Sequence, residues 1–436
     1  WILAPLFILP TLLVKDDHMI DPHTTSALEY NLTTPSNSAL STLALFHLPG
    51  VGATRYHKLI EWFGSAEMAV TGDRKLIMAA GVKADSVRLL DEYALKAFDS
   101  EVGRLIKRDL DWAEKPGNDL LLIGDHDYPP LLKHIDSPPP VLYIKGERAL
   151  LCEPQLAIVG SRSPSIDGKE NAYRFAKSIV NIGLAVTSGM ALGVDGAAHK
   201  GAIDGNGHTV AVVGTGADVI YPARHRALSA GILERGVIVS ELPLGTQPHP
   251  SNFPRRNRII SALSLGVLVV EASPKSGSLI TAHCALDQGR EVYAIPGSIH
   301  NPMARGCHQL LRQGAKLVES AEDIFEELSS LLAFHQLIRN ESATAPISDS
   351  QPVQMTADLF EFEPGDVAGD SQMDLTEPEK TLLGFLGFDV VSVDLAVERS
   401  GLSVEDVSIL LMSLELKGVV QSVPGGFQKV RESITA

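Results

Sequence analysis

The chain has 436 residues, 44% hydrophobic and 21% charged, with a formal net charge of -16, which is ordinary for a soluble globular protein of two or three domains. Cys152, Cys284 and Cys307 are irregularly spaced and form neither a CxxC pair nor a zinc pattern, so a disulfide framework and a cysteine metal site are excluded. The acidity is uneven: residues 156–320 hold 16 Lys+Arg and 11 Asp+Glu, while the rest of the chain holds 21 and 42, an asymmetry that points to an anionic ligand for the centre.

Trp1 to Val14 is almost wholly apolar, but it is too short to span a bilayer, is interrupted by Pro5 and Pro10, and lacks the basic leading region of a signal peptide. Met19 is the first methionine and the expected native start; residues 1–38 are read as an extension without fixed structure. Residues 39–105 read as short amphipathic helices. Within them Leu48-Pro-Gly-Val-Gly52 joins an apolar helix to a second one over Arg55–Phe63, which is a helix-hairpin-helix pattern whose turn aims backbone N–H groups outward. Residues 106–155 form a connecting segment, held extended by Tyr128-Pro-Pro130 and Ser137-Pro-Pro-Pro140 and closing on a strand over Val141–Ile144.

From residue 156 to 332 short apolar runs alternate with helical segments. The runs are Leu156–Val159, Ala185–Thr187, Val210–Val213, Val237–Val239, Val267–Val270 and Val292–Ile295. Six such runs predict a doubly wound, Rossmann-like α/β sheet, because parallel strands are buried on both faces. Residues 333–373 read as an acidic flexible linker. Residues 374–436 carry three helical stretches, Pro378–Gly387, Ser392–Ser400 and Val404–Lys417, followed by a hairpin over 419–430. That is winged-helix order, but the domain lacks cations where a recognition helix needs them.

Four glycine-rich turns of the central domain each follow a predicted strand directly. Gly160-Ser161-Arg162-Ser163 follows the first, Ser188-Gly189-Met-Ala-Leu-Gly193 the second, Gly214-Thr-Gly216 the third, and Glu271 to Ser278, with Lys275, Ser276, Gly277 and Ser278, a later one. In an open α/β sheet ligands sit beyond the carboxyl ends of the strands, where a glycine lets the backbone approach a phosphate and an arginine such as Arg162 grips it. Steric need alone also puts glycine in such turns. The basic cluster Phe253-Pro-Arg255-Arg256-Asn257-Arg258 opens a helix, where three arginines oppose the helix dipole unless an anion binds or the cations are paired internally. Phe253 and Tyr221 lie near these cations and are candidates for base stacking.

No phosphate loop, HExxH or GxSxG motif is present, and the first turn departs from the dinucleotide GxGxxG fingerprint, so no cofactor and no catalytic residue is assigned. His199 and the carboxylates of Asp195 and Glu271 have no nucleophile to serve.

In order along the chain, Gly160-Ser-Arg162, Ser188 to His199, Gly214-Thr-Gly216 with Tyr221-Pro222, Phe253 to Ser261, Ser276 to Ala282, Gly289-Arg290 with Ile295-Pro-Gly297, and Gly306 to Ala315 resemble the motifs of the DNA-processing protein A (DprA, or Smf) family. The resemblance covers about residues 40–330, and the tail resembles the family's optional winged-helix domain. It implies a cytoplasmic, non-enzymatic single-stranded-DNA-binding protein that forms homodimers and loads the RecA recombinase in natural transformation. On that resemblance the pocket cations map to Arg162, Arg224, Lys275, Arg255, Arg256 and Arg258, and the dimer and recombinase surfaces fall within residues 290–330. The alternative on the same fold is a nucleotide phosphoribohydrolase, whose double-glycine turn and following glutamate are missing from Pro274 to Thr281.

Overall fold

The computed structural model describes residues 36–329, 375–386, 390–423 and 426–430. Residues 1–35, with the expected start at Met19, and the expected linker over 333–373 lie outside the described residues.

Six helices form the first layer: α1 (Asn37–Phe46), α2 (Ala53–Phe63), α3 (Ala66–Thr71), α4 (Arg74–Ala79), α5 (Ala84–Lys96) and α6 (Glu101–Ala113). Amphipathic faces turn Leu45, Leu59, Ile77, Leu90 and Ile106 into a common core. The layer runs past residue 105, since α6 continues to Ala113. The segment after it contributes β1 (Asn118–Leu122), α7 (Pro130–Lys133) and β2 (Val141–Gly146).

The central domain alternates strand and helix: β3 (Gln155–Val159), α8 (Ile166–Asn181), β4 (Ala185–Ser188), α9 (Val194–Asp204), β5 (Thr209–Val212), α10 (Arg226–Arg235), β6 (Gly236–Ser240), α11 (Asn252–Leu263), β7 (Gly266–Val269), α12 (Gly277–Asp287), β8 (Glu291–Ala294), α13 (Arg305–Arg312) and β9 (Lys316–Leu317), with a helix α14 over 321–329. All six expected strands are present, and the sheet is larger than they alone would make. Its order is β1-β2-β6-β5-β4-β3-β7-β8-β9. The seven strands from β6 to β9 in that order are parallel, while β1 and β2 extend one edge antiparallel.

β2 serves two cores. Leu142 and Ile144 point into the central domain's core, while Val141 and Tyr143 point into the helical layer. Tyr143 donates its hydroxyl to buried Asp109 of α6, and Asp109 also takes a 2.7 Å bond from His47 at the end of α1.

The last unit has winged-helix order: α15 (Glu377–Phe385), α16 (Val393–Ser400), α17 (Val404–Leu416) and the hairpin β10 (Val420–Val423) with β11 (Gly426–Lys429). It rests on α8 through Arg399, which reaches Asp167 at 2.7 Å and Glu170 at 3.9 Å.

Candidate nucleic-acid interface

The strand order reverses between β3 and its two neighbours, since β4 lies on one side and β7 on the other. At that switch point the loops leaving adjacent carboxyl ends part and leave a crevice. A cleft of about 750 Å³ occupies it, lined by Gly160, Ser161 and Arg162 after β3, by Ala191 and Asp195 after β4, by Ser273, Ser276, Gly277 and Ser278 after β7, and by Tyr221, Phe253, Arg256 and Asn257.

The Gly160 turn is fixed from both sides. The Ser161 N–H donates to the Glu271 carbonyl at 2.7 Å, and the Ser161 carbonyl accepts from Val194 N–H at 3.1 Å. Arg162 therefore projects from a rigid base. It is exposed, forms no ion pair among the described residues, and lies over the Phe253 ring with its guanidinium carbon 5.3 Å from the centroid. Tyr221, 43% exposed, stands beside Phe253 with the ring centroids 5.8 Å apart. One cation and two aromatic faces thus share the rim, which is the equipment needed to hold a phosphate and stack unpaired bases.

Two helix N-termini near the cleft differ in what they can accept. At α8, buried Glu271 already supplies the anion: its carboxylate accepts from Ser165 N–H and Oγ at 2.8 and 2.6 Å and from Asn301 Nδ2 at 2.8 Å. At α12, Ser276 caps Ser278 N–H, and Gly277 faces open space with nothing within 4 Å of a Cβ built on it. Asn257 Nδ2 donates to the Gly277 carbonyl at 3.1 Å, which ties this end to α11. Since Ser278 N–H is bonded to Ser276 Oγ and Leu279 N–H to the Ser276 carbonyl, it is Gly277, exposed at the start of α12, that faces an incoming anion.

The arginine cluster divides by environment. Arg256 is 4% exposed and donates to the carbonyls of Gly189 and Val212 beneath the cleft. Burial lowers its pKa to about 10, opposed by the carboxylate of Asp195; burial raises Asp195, opposed by Arg256 and by backbone N–H bonds from Ala191 and Gly189. Both carbonyl bonds come from Arg256 Nη1, and the side chain, though buried, is among the residues that line the cleft. Arg258 is paired with Glu241 and bonds the Ser137 carbonyl at 3.1 Å; Arg255 reaches the same Glu241 at 3.0 Å and is half-exposed. Arg224 and Lys275 are exposed and lie outside the residues that line the cleft.

Gly189, Gly214 and Gly216 are buried. A Cβ on Gly189 would collide with the Arg256 guanidinium, and one on Gly214 would fall 2.9 Å from the Phe253 ring. Gly189 and Gly214 thus make room for the arginine and the aromatic, while a Cβ on Gly216 would meet Asp218 and the backbone of Pro243 and Gly245. His199 is buried, with Nδ1 2.7 Å from the Thr209 hydroxyl, which itself donates to the Val186 carbonyl; the ring is therefore the Nδ1–H tautomer. Burial, aided by the charges of His225 and Arg256, lowers its pKa to about 3. Among the described residues no group of three or more His, Cys, Asp or Glu side chains converges as metal ligands, and no helix is long and apolar enough to cross a membrane. The Glu271–Ser165–Asn301 network is not legible in the sequence, since Ser165 and Asn301 lie 106 and 30 residues from Glu271 and the three share no motif.

Residues 119–329 match the family model described as DNA recombination-mediator protein A, and residues 367–426 match the DprA winged helix domain. The chain is 41% identical over 329 residues to Protein Smf of Escherichia coli (strain K12), covering 75% of this chain and 82% of that protein. It is 45% identical over 213 residues to DNA processing protein DprA of Bacillus subtilis (strain 168), covering 49% and 72%. The X-ray structure of DprA from Streptococcus pneumoniae aligns with a TM-score of 0.58 at 34% identity, covering 68% of this chain and 99% of that one.

Proposed function

The chain belongs to the DprA/Smf family, and on that premise we propose that its switch-point cleft binds single-stranded DNA without sequence choice and presents it to the RecA recombinase. The observation that carries the reading is the rim: Arg162 over Phe253, with Tyr221 alongside and the open first turn of α12 opposite. Aromatic faces stack only on bases freed from pairing, so the rim favours single strands over duplex. Cations and helix N–H groups hold the backbone irrespective of sequence. Asp195, Glu271 and His199 are taken up by internal bonds, which supports a binding rather than a catalytic role. The family model's description as a recombination mediator supports the recombinase as partner, and a cytoplasmic homodimer is the form in which two clefts would hold one strand extended.

The test is fluorescence anisotropy with single- and double-stranded oligonucleotides across a salt series. Tighter single-strand binding is expected, with a log–log salt slope of roughly -3 if about four phosphates are neutralised. Equal affinity for both forms would overturn the reading. In parallel, the protein should speed RecA filament formation on strands coated with a single-strand-binding protein. Release of free base from nucleoside monophosphates would favour a phosphoribohydrolase instead.

A further inference from the structure

Helix α17 is apolar on two opposite sides. Val407, Leu411 and Leu414 are buried in the core of the winged unit. Across the helix, Ile409, Met412 and Leu416, spaced i, i+3, i+7, are 61%, 65% and 86% exposed. A surface helix needs one apolar stripe to hold its own domain, and a second stripe left in water is unfavourable until something covers it. In winged-helix order α17 is the helix that would enter a DNA groove. Its outer face carries acids instead: Glu405 and Glu415 are exposed on or beside the stripe. Among the described residues the unit's cations are engaged elsewhere, Lys380 with Glu377, Lys417 with Glu379 and Arg399 with Asp167, while burial lowers Lys429 to a pKa of about 8.

We propose that the outer face of α17 is a docking surface for a partner protein that presents an amphipathic helix with an apolar stripe rimmed by Lys and Arg. Charge complementarity selects this occupant. A nucleic acid would bring phosphates against Glu405 and Glu415, and a second copy would set the same carboxylates against each other. An apolar stripe laid on Ile409, Met412 and Leu416, with cations meeting the two glutamates, satisfies both features at once. The proposal is independent of what the central cleft binds.

The test uses the full chain and two labelled amphipathic helical peptides that share one Leu/Ile stripe, one rimmed with Lys and Arg and the other with Glu. By anisotropy the basic-rimmed peptide should bind about tenfold tighter than the acidic one. Ile409→Ser/Met412→Ser, whose changes lie outside the core and whose melting curve controls for folding, should lose that binding, and Glu405→Lys should narrow the gap between peptides. Equal binding of the two peptides, no binding of either, or binding unaffected by the double variant overturns the proposal. So does a fall in the double variant's affinity for duplex DNA, which would make α17 a nucleic-acid reader, or its conversion from dimer to monomer in sedimentation, which would make the occupant a second copy.

Discussion

Arg162 and Arg256 show how differently one residue type is used within a single cleft. Arg162 leans on Phe253 from an exposed turn, so Arg162→Ala removes a ligand contact and opens no cavity. We expect single-strand affinity to fall about ten- to a hundredfold, in the range of one charged hydrogen bond, with an unchanged melting temperature; normal binding by this variant would move the interface elsewhere. Arg256→Ala instead leaves Asp195 buried without its counter-charge and two carbonyls without donors. Leaving a buried hydrogen-bonding group unsatisfied costs about 1–3 kcal/mol, so chemical denaturation should show a clear drop in stability. His199 supplies the pH dependence. Its folded pKa lies below the unfolded value, so its contribution is fully present above pH 6.5 and is lost as pH falls toward about 3. The whole span corresponds to roughly 4–5 kcal/mol. His199→Asn, which keeps a donor near Nδ1, should flatten the acid limb of a stability–pH profile; an identical limb would show that another group controls it.

At the scale of elements, the glycine turns offer a paired test. Gly189→Ala drives a methyl into the Arg256 guanidinium and should destabilise the fold. Gly277→Ala meets open space, should melt normally, and should weaken DNA binding by narrowing the approach to the first turn of α12. If both substitutions proved silent in melting, the packing role of Gly189 would be wrong. The same elements show why part of the fold was legible in the sequence. β3 to β7 are buried at every position, and β8 at all but Glu291, so each contains a short, largely apolar run. β1 opens with Asn118-Asp119 at an edge and is mostly half-exposed, and β9 has two residues, so neither has a periodicity to read. α6 carries Asp109 at a fully buried position, which breaks its apolar pattern near the expected boundary. The site was half legible for a related reason. Spacing marks Arg162 and the glycines, but whether an arginine such as Arg256 faces water or lies beneath a sheet edge depends on which carbonyls fold against it.

Over the whole molecule, the charge imbalance acquires a geometry. The winged unit is acidic and is held to α8 by Arg399, which meets Asp167 and Glu170 near the chain's Gly160 turn. Truncation after residue 329 removes that negative charge and should leave single-strand affinity unchanged or slightly higher; a large loss would make the winged unit part of the DNA site.

The strand β2 decides what can be taken apart. Its alternate side chains belong to two cores, and the Tyr143–Asp109–His47 bonds lie across the seam. A fragment beginning after α6 would leave Val141 and Tyr143 facing water, so the helical layer is no detachable tag on the sheet domain. Amide hydrogens on β2 should therefore exchange no faster than those of β3, and heat should dissolve the layer and the sheet in one transition, as a single thermodynamic unit.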